Sequence, residues 1–153
     1  MQRAPGEERL FRVPYGAADL EFMLQPWFDI QVGTPTAGTQ YDIVIVGVGK
    51  PDDVDLARAM RIAARICLTP MPLIGDGGAV IIPAQLEDGA GDDLGDDATQ
   101  LMARAMIVIA ASEAPEVVRL AGLRAAVDVE EALDIAYEHI GRPQRASVLL
   151  MRA

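Results

Sequence analysis

Largely apolar runs recur along the chain at 43–46, 79–82, 106–110 and 147–151, the first of them wholly β-branched. A run without polar alternation is the pattern of a strand covered on both faces. Between the first two runs, Leu56, Met60, Ala63 and Cys67 fall at helical spacing. Residues 53–67 are therefore predicted to form an amphipathic helix, with carboxylates at its start where the helix dipole favours them. Gly47 and Gly49 supply the turn into that helix, and Gly77-Gly78 leads into the second strand, which ends at Pro83. Ser112 can cap a short helix that ends at Gly122. Asp128 and Glu131 form a capping-box pattern for a helix that stops at Gly141. Strands alternating with helices through crossover-length connections predict an α/β fold: a three-layer, Rossmann-like, mostly parallel sheet of about four to five strands, helices on both faces.

The first forty residues follow a different pattern. Stretches 11–14 and 20–24 resemble short strands broken by Tyr15-Gly16, and the small residues from Gly33 to Gly38 form a linker with two turn glycines. A boundary near Gly38 divides an N-terminal extended arm, 1–38, from the α/β domain, 39–153. Phe11, Tyr15, Phe22, Trp27 and Phe28 all lie in the arm. A segment this short has no core of its own, so it is expected to dock on the main domain or on another subunit.

A length of 153 residues suits one domain, and the net charge of −10 argues against a nucleic-acid partner, whose phosphates call for Lys and Arg. The single Cys67 can form no internal disulfide and fits a reducing, cytoplasmic setting. No apolar run approaches the ~20 residues that span a bilayer, and the first residues have no apolar signal region. No membrane role is expected.

The turn Gly47-Val48-Gly49-Lys50-Pro51 has the outline of an anion-binding loop between strand and helix, yet its details fail. A dinucleotide fingerprint needs glycine where Asp52 stands, a P-loop needs Ser or Thr at Pro51, and Asp52 and Asp53 would repel phosphate. More unusual are Arg58, Arg61 and Arg65, which fall within about 60° of arc at 100° per residue and are flanked by Ile62 and Ile66. This basic stripe suits a carboxylate ligand or a subunit interface; the alternative is a solvated face paired with nearby carboxylates. The acidic loop at 87–97 lacks the spacing of a calcium loop and reads as a solvated loop, with Asp96 or Asp97 capping the next helix. It leaves the carboxyl end of a central strand, where open α/β sheets bind ligands. His139 sits near a helix C-terminus, where the dipole favours its charge, and Cys67 lies on the apolar seam as a core thiol. Ser112 has no nucleophile-elbow context. No catalytic set emerges, and no metal or cofactor site is expected within this chain.

Several stretches, YDIVIV with Gly49-x-Pro51, the helix that follows, GGAVIIPA, EDGAG, and the long run from Ser112 to Gly141, resemble the C-terminal domain of the nickel-pincer lactate racemase family. Most of the chain after Gly38 is covered. In that family the domain closes over a site whose essential parts lie mainly in the preceding domain: a Lys carrying the pincer cofactor, a His on nickel and two His that shuttle the α-proton. None can be matched here, because no His or Lys precedes Lys50. The family's C-terminal domain also lends a Gln and a Lys from the helix after the turn; those positions fall on Arg58 and Arg61, which stay polar and cationic but change residue type. Its Trp comes from a segment shortened here after EDGAG, and Trp27 is not the counterpart.

Three functions follow from these observations. The resemblance implies a stand-alone racemase-like domain that completes a 2-hydroxy-acid racemase or epimerase site with a separately encoded catalytic subunit, which would carry any nickel-pincer nucleotide. Arg58, Arg61, Arg65, Lys50 and Asp88 would then bind a small carboxylate or the partner. A binding or regulatory module without catalysis is the second. The third, an independent enzyme using carboxylates near Asp88 and Asp92, lacks a nameable base. Alanine-rich helices and the aromatic arm also suggest a homo-oligomer.

Overall fold

Strand and helix alternate through the computed structural model, which describes residues 25–152. The order is β1 (Phe28–Val32), β2 (Tyr41–Gly47), α1 (Leu56–Leu68), β3 (Ile74–Pro83), α2 (Gly95–Arg104), β4 (Met106–Ala110), α3 (Pro115–Leu120), β5 (Arg124–Ala126), α4 (Val129–His139) and β6 (Ala146–Arg152). The strands lie in one sheet in the order β1-β6-β2-β3-β4-β5, and every neighbouring pair is parallel. The sheet is thus wholly parallel and six-stranded, wider than the four to five strands predicted. Rossmann-like α/β architecture is what the alternation pointed to.

The two additional strands are both edge strands with weak signatures. β1 comes from the segment assigned to the arm, and its sequence FDIQV places Asp29 and Gln31 between apolar residues because an edge strand is only partly covered. β5 has three residues, too few to show a period. The predicted strands at 11–14 and 20–24 lie outside the described residues.

Alternate side chains of the central strands feed two cores. Val44, Val46, Val80, Ile82, Ile107 and Ile109 pack with Leu56, Met60 and Ala63 of α1, Leu101 of α2 and Val118 of α3. On the other face, Ile43, Ile45, Ile81, Val108 and Val148 pack with Val129, Ala132, Leu133 and Ala136 of α4. Among the described residues, helices therefore cover both faces, three on one side and one on the other. Trp27 and Phe28 extend the second core: Trp27 stacks on Tyr137 with ring centroids 6.0 Å apart, and Phe28 meets the same ring edge-on at 5.4 Å.

Local chemistry sets the element ends differently from the sequence reading at four points. α1 starts at Leu56 rather than at 53, because Asp55 is its N-cap and accepts from the Arg58 N–H at 2.8 Å. Neither Asp96 nor Asp97 caps α2; they sit in its first turn, where the dipole still favours them. The Ser112 hydroxyl accepts from the Ala114 N–H at 2.9 Å, a turn just ahead of α3, whose own N-cap is Ala114. Gly77-Gly78 belongs to β3 itself, in a bulge where register jumps from Tyr41↔Ile74 to Ile43↔Ala79. Gly78 is required there: a Cβ would lie 2.8 Å from the Asp42 carbonyl oxygen.

Asp128 caps α4 as predicted, accepting from the Glu131 N–H at 2.8 Å, while the Glu131 carboxylate reaches back to the Val127 N–H at 3.2 Å.

Cys67 lies wholly buried on the α1 seam, and desolvation pushes its thiol pKa up from 9.0 to about 12. Because the raised value favours the neutral thiol in the folded state, this contribution to stability is complete below about pH 9 and is lost as the pH climbs toward 12. Two outcomes are expected. Native protein at pH 8 resists alkylation by iodoacetamide while urea-unfolded protein reacts, and Cys67→Ala flattens the alkaline decline in stability. Rapid alkylation of native protein would place the thiol at the surface.

Candidate functional site

Because all six strands run the same way, the loops after β2, β3 and β4 emerge at one edge of the sheet, the edge where open α/β sheets take ligands. A cavity of about 310 Å³ opens there. Its lining comes from Gly47 at the end of β2, Gly49, Lys50 and Asp53 in the turn that follows, Pro83 to Gln85 after β3, and Ala111 after β4. Two non-glycine residues in these loops adopt left-handed backbone, Leu86 with φ 57° and Ala111 with φ 61°. Such conformations cost about 1–3 kcal/mol each and gather at ligand-binding loops. Both are held by their surroundings: the Leu86 N–H donates to the Asp53 carbonyl at 2.8 Å, and the Ala111 N–H to the Ala126 carbonyl at 3.0 Å.

Two charged side chains define the cavity chemically. Lys50 is exposed and bonds the Glu87 carboxylate. That hydrogen bond raises the lysine pKa above 10.5, slight desolvation opposes it, and the charges of Glu87, Asp53 and Glu113 add to the rise. Asp53 is 8% exposed, the one buried polar or charged residue among the described residues, and its Oδ1 has no hydrogen-bond partner. A buried, unpaired acceptor costs about 1–3 kcal/mol, more when charged.

The acidic loop is built into the start of α1. Leu56 N–H donates to the Gly89 carbonyl at 2.9 Å, Ala57 N–H to the Ala90 carbonyl at 3.0 Å, and Asp88 N–H to the Val54 carbonyl at 2.7 Å. With Asp55 capping Arg58, the first three N–H groups of α1 are all satisfied. An anion approaching the start of α1 would find none of these three donors free. The 87–97 stretch is largely exposed, as expected of a solvated loop, and at 88–90 it also serves as a peptide cap.

Of the residues singled out in the sequence, Lys50 lines the cavity. Asp88 is exposed in the cap loop, and Arg58, Arg61 and Arg65 are exposed along α1 with Ile62 and Ile66 half-buried beside them. No ion pair involves these three arginines among the described residues. Asp53 and Gln85 were missed. Asp53 read as one more carboxylate opening a helix; only the later start of α1 reveals it as a cavity residue. His139 is exposed at the opposite, amino edge, beside Met106 and Arg124. A larger cavity of about 490 Å³ lies at that edge too, between the loop at 35–40 and Pro70 to Leu73, and no titratable side chain lines it among the described residues. No cluster of three or more metal-ligating side chains occurs among the described residues, and no helix there is long and apolar enough to cross a membrane.

Fold and cavity together define a Rossmann-like α/β protein with a candidate ligand site at the carboxyl edge of a parallel sheet. Among solved structures it is similar to the lactate racemase apoprotein from Thermoanaerobacterium thermosaccharolyticum, with a TM-score of 0.59 and 18% identity. The match covers 78% of this chain and 34% of that one, so the chain spans about a third of the length of its neighbour. At this identity the likeness concerns the fold. No protein-family model matches the sequence, and no curated protein does.

Proposed function

We propose that this chain is a lactate-racemase-like domain, non-catalytic alone, that completes a 2-hydroxy-acid racemase or epimerase site together with a separately encoded catalytic subunit. The observation that carries the proposal is the pairing of that fold with a carboxyl-edge cavity that no imidazole of this chain lines: the sequence has one His, and His139 lies at the other edge. A nickel-pincer group, which the family resemblance implies, does not fit these residues. Lys50 is engaged by Glu87, and Cys67 is buried in the core. Cofactor and α-proton chemistry would belong to the other subunit.

In this proposal the arginine stripe does the binding. Guanidinium groups pair with carboxylates through two parallel N–H bonds, and Arg58 and Arg61 have no carboxylate partner among the described residues. They would engage a substrate carboxylate or an acidic patch of the partner. In a pull-down with the catalytic subunit, Arg58→Ala plus Arg61→Ala is expected to weaken complex formation or racemisation about tenfold or more, with stability unchanged because both side chains are exposed. Equal binding and equal activity would remove the stripe from the proposal. The neutralisation of Lys50 by Glu87 supports a second reading, a binding or regulatory module of the same fold. Under it, the chain would bind its partner without changing racemisation.

A further inference from the structure

The charge balance at the carboxyl-edge cavity runs opposite to that of a carboxylate-binding site. Lys50 is the one cation in the lining among the described residues, and it is bonded to Glu87. Asp53 is left over, more than nine-tenths buried, with an Oδ1 that accepts nothing. Glu113 stands close by, its N–H fixed to the Gln85 carbonyl at 2.8 Å, so the set of Lys50, Asp53, Glu87 and Glu113 carries two more negative charges than positive ones at neutral pH. A carboxylate ligand would have to enter against that surplus. A donor with positive charge would instead meet the Asp53 carboxylate, which lines the cavity, and offset the surplus.

We propose that this cavity binds a small organic ammonium ion, with the Asp53 carboxylate at its wall pairing with the ammonium group and Lys50 acting as the cation it competes with. The site is separate in chemistry from the arginine stripe on α1, and the proposal stands whether or not the chain completes a racemase. A volume of about 310 Å³ is at the small end of ligand pockets, enough for a short aliphatic amine and too little for a nucleotide cofactor. Pro83, Ala84 and Ala111 give the aliphatic part an apolar wall, while Gly47 and Gly49 bring bare backbone to its rim.

The test uses 1,4-diaminobutane as the cation, 1,4-butanediol as its neutral isostere and L-lactate as the anion. Each is titrated into the full chain while the Gly49 and Ala111 amide resonances are followed by NMR. The diamine is expected to bind saturably, with the diol and lactate at least about tenfold weaker, the loss of a charge-assisted hydrogen bond. Asp53→Asn, which keeps the shape and removes the charge, is expected to weaken the diamine about 10- to 100-fold. Lys50→Met is expected to tighten it several-fold, because the competing cation is gone. The Lys50 variant also keeps the test decisive should Asp53→Asn fold poorly, since a carboxylate site would respond to it with the opposite sign. Absence of saturable diamine binding to the wild-type chain would mean that water satisfies Asp53, and would overturn the proposal. So would diamine binding unchanged by Asp53→Asn, or lactate bound more tightly than the diamine and lost in Lys50→Met.

Discussion

Leu133→Ala is expected to cost about 2–5 kcal/mol of unfolding free energy, among the largest effects of any single truncation in this chain. The reason is the uneven covering of the sheet. Three helices share one face, whereas α4 alone, among the described residues, covers the other over β3, β4 and β5. Leu133 is fully buried at the middle of that helix, in the cluster with Ile43, Ile81, Val108 and Val148. Removing its side chain leaves a cavity that the hydrogen-bonded sheet beneath cannot collapse to fill. Urea denaturation followed by circular dichroism measures the effect. A loss under about 1 kcal/mol would mean that α4 does not seal that face.

Gly91→Ala is expected to cost about 2–3 kcal/mol, through two causes that add. Gly91 has φ 72°, where an L residue pays about 1–2 kcal/mol. A Cβ at that position would also stand 2.5 Å from Asp55 Oδ1, the atom that caps α1, and displacing a cap costs about 1 kcal/mol more. Gly89→Ala separates the two causes, since Gly89 has φ 76° with nothing within 4 Å of the added methyl. It is expected to pay the backbone cost alone. Equal losses in the two variants would show that the contact between the cap loop and Asp55 is not tight.

Residues with strong local signatures announced their elements from sequence. The apolar runs within β2, β3, β4 and β6 are largely buried on both faces, so little polar interrupts them, and Asp128 with Glu131 marks the start of α4 by chemistry that needs only neighbours in sequence. What stayed hidden depends on contacts distant in sequence. β1 is a strand because β6, more than a hundred residues later, pairs with it through Phe28↔Ala146 and Ile30↔Val148. The 88–90 stretch is a helix cap because α1 comes to meet it. For the site, Lys50 was legible from its place after a glycine turn, and the arginine stripe from helical geometry. Asp53 was not, because its significance comes from burial and from a partner that is missing, neither of which has a sequence pattern. The resemblance to the lactate racemase family and the structural likeness to a lactate racemase converge on the fold.

Exchange of the α-hydrogen of L-lactate for solvent deuterium tests the central proposal most directly. It is measured by proton NMR for the catalytic subunit alone, for this chain alone, and for the two mixed. The proposal predicts no exchange by this chain alone, little by the catalytic subunit alone, and a rate at least about tenfold higher for the mixture. A catalytic subunit that exchanges lactate equally well with and without this chain would contradict it.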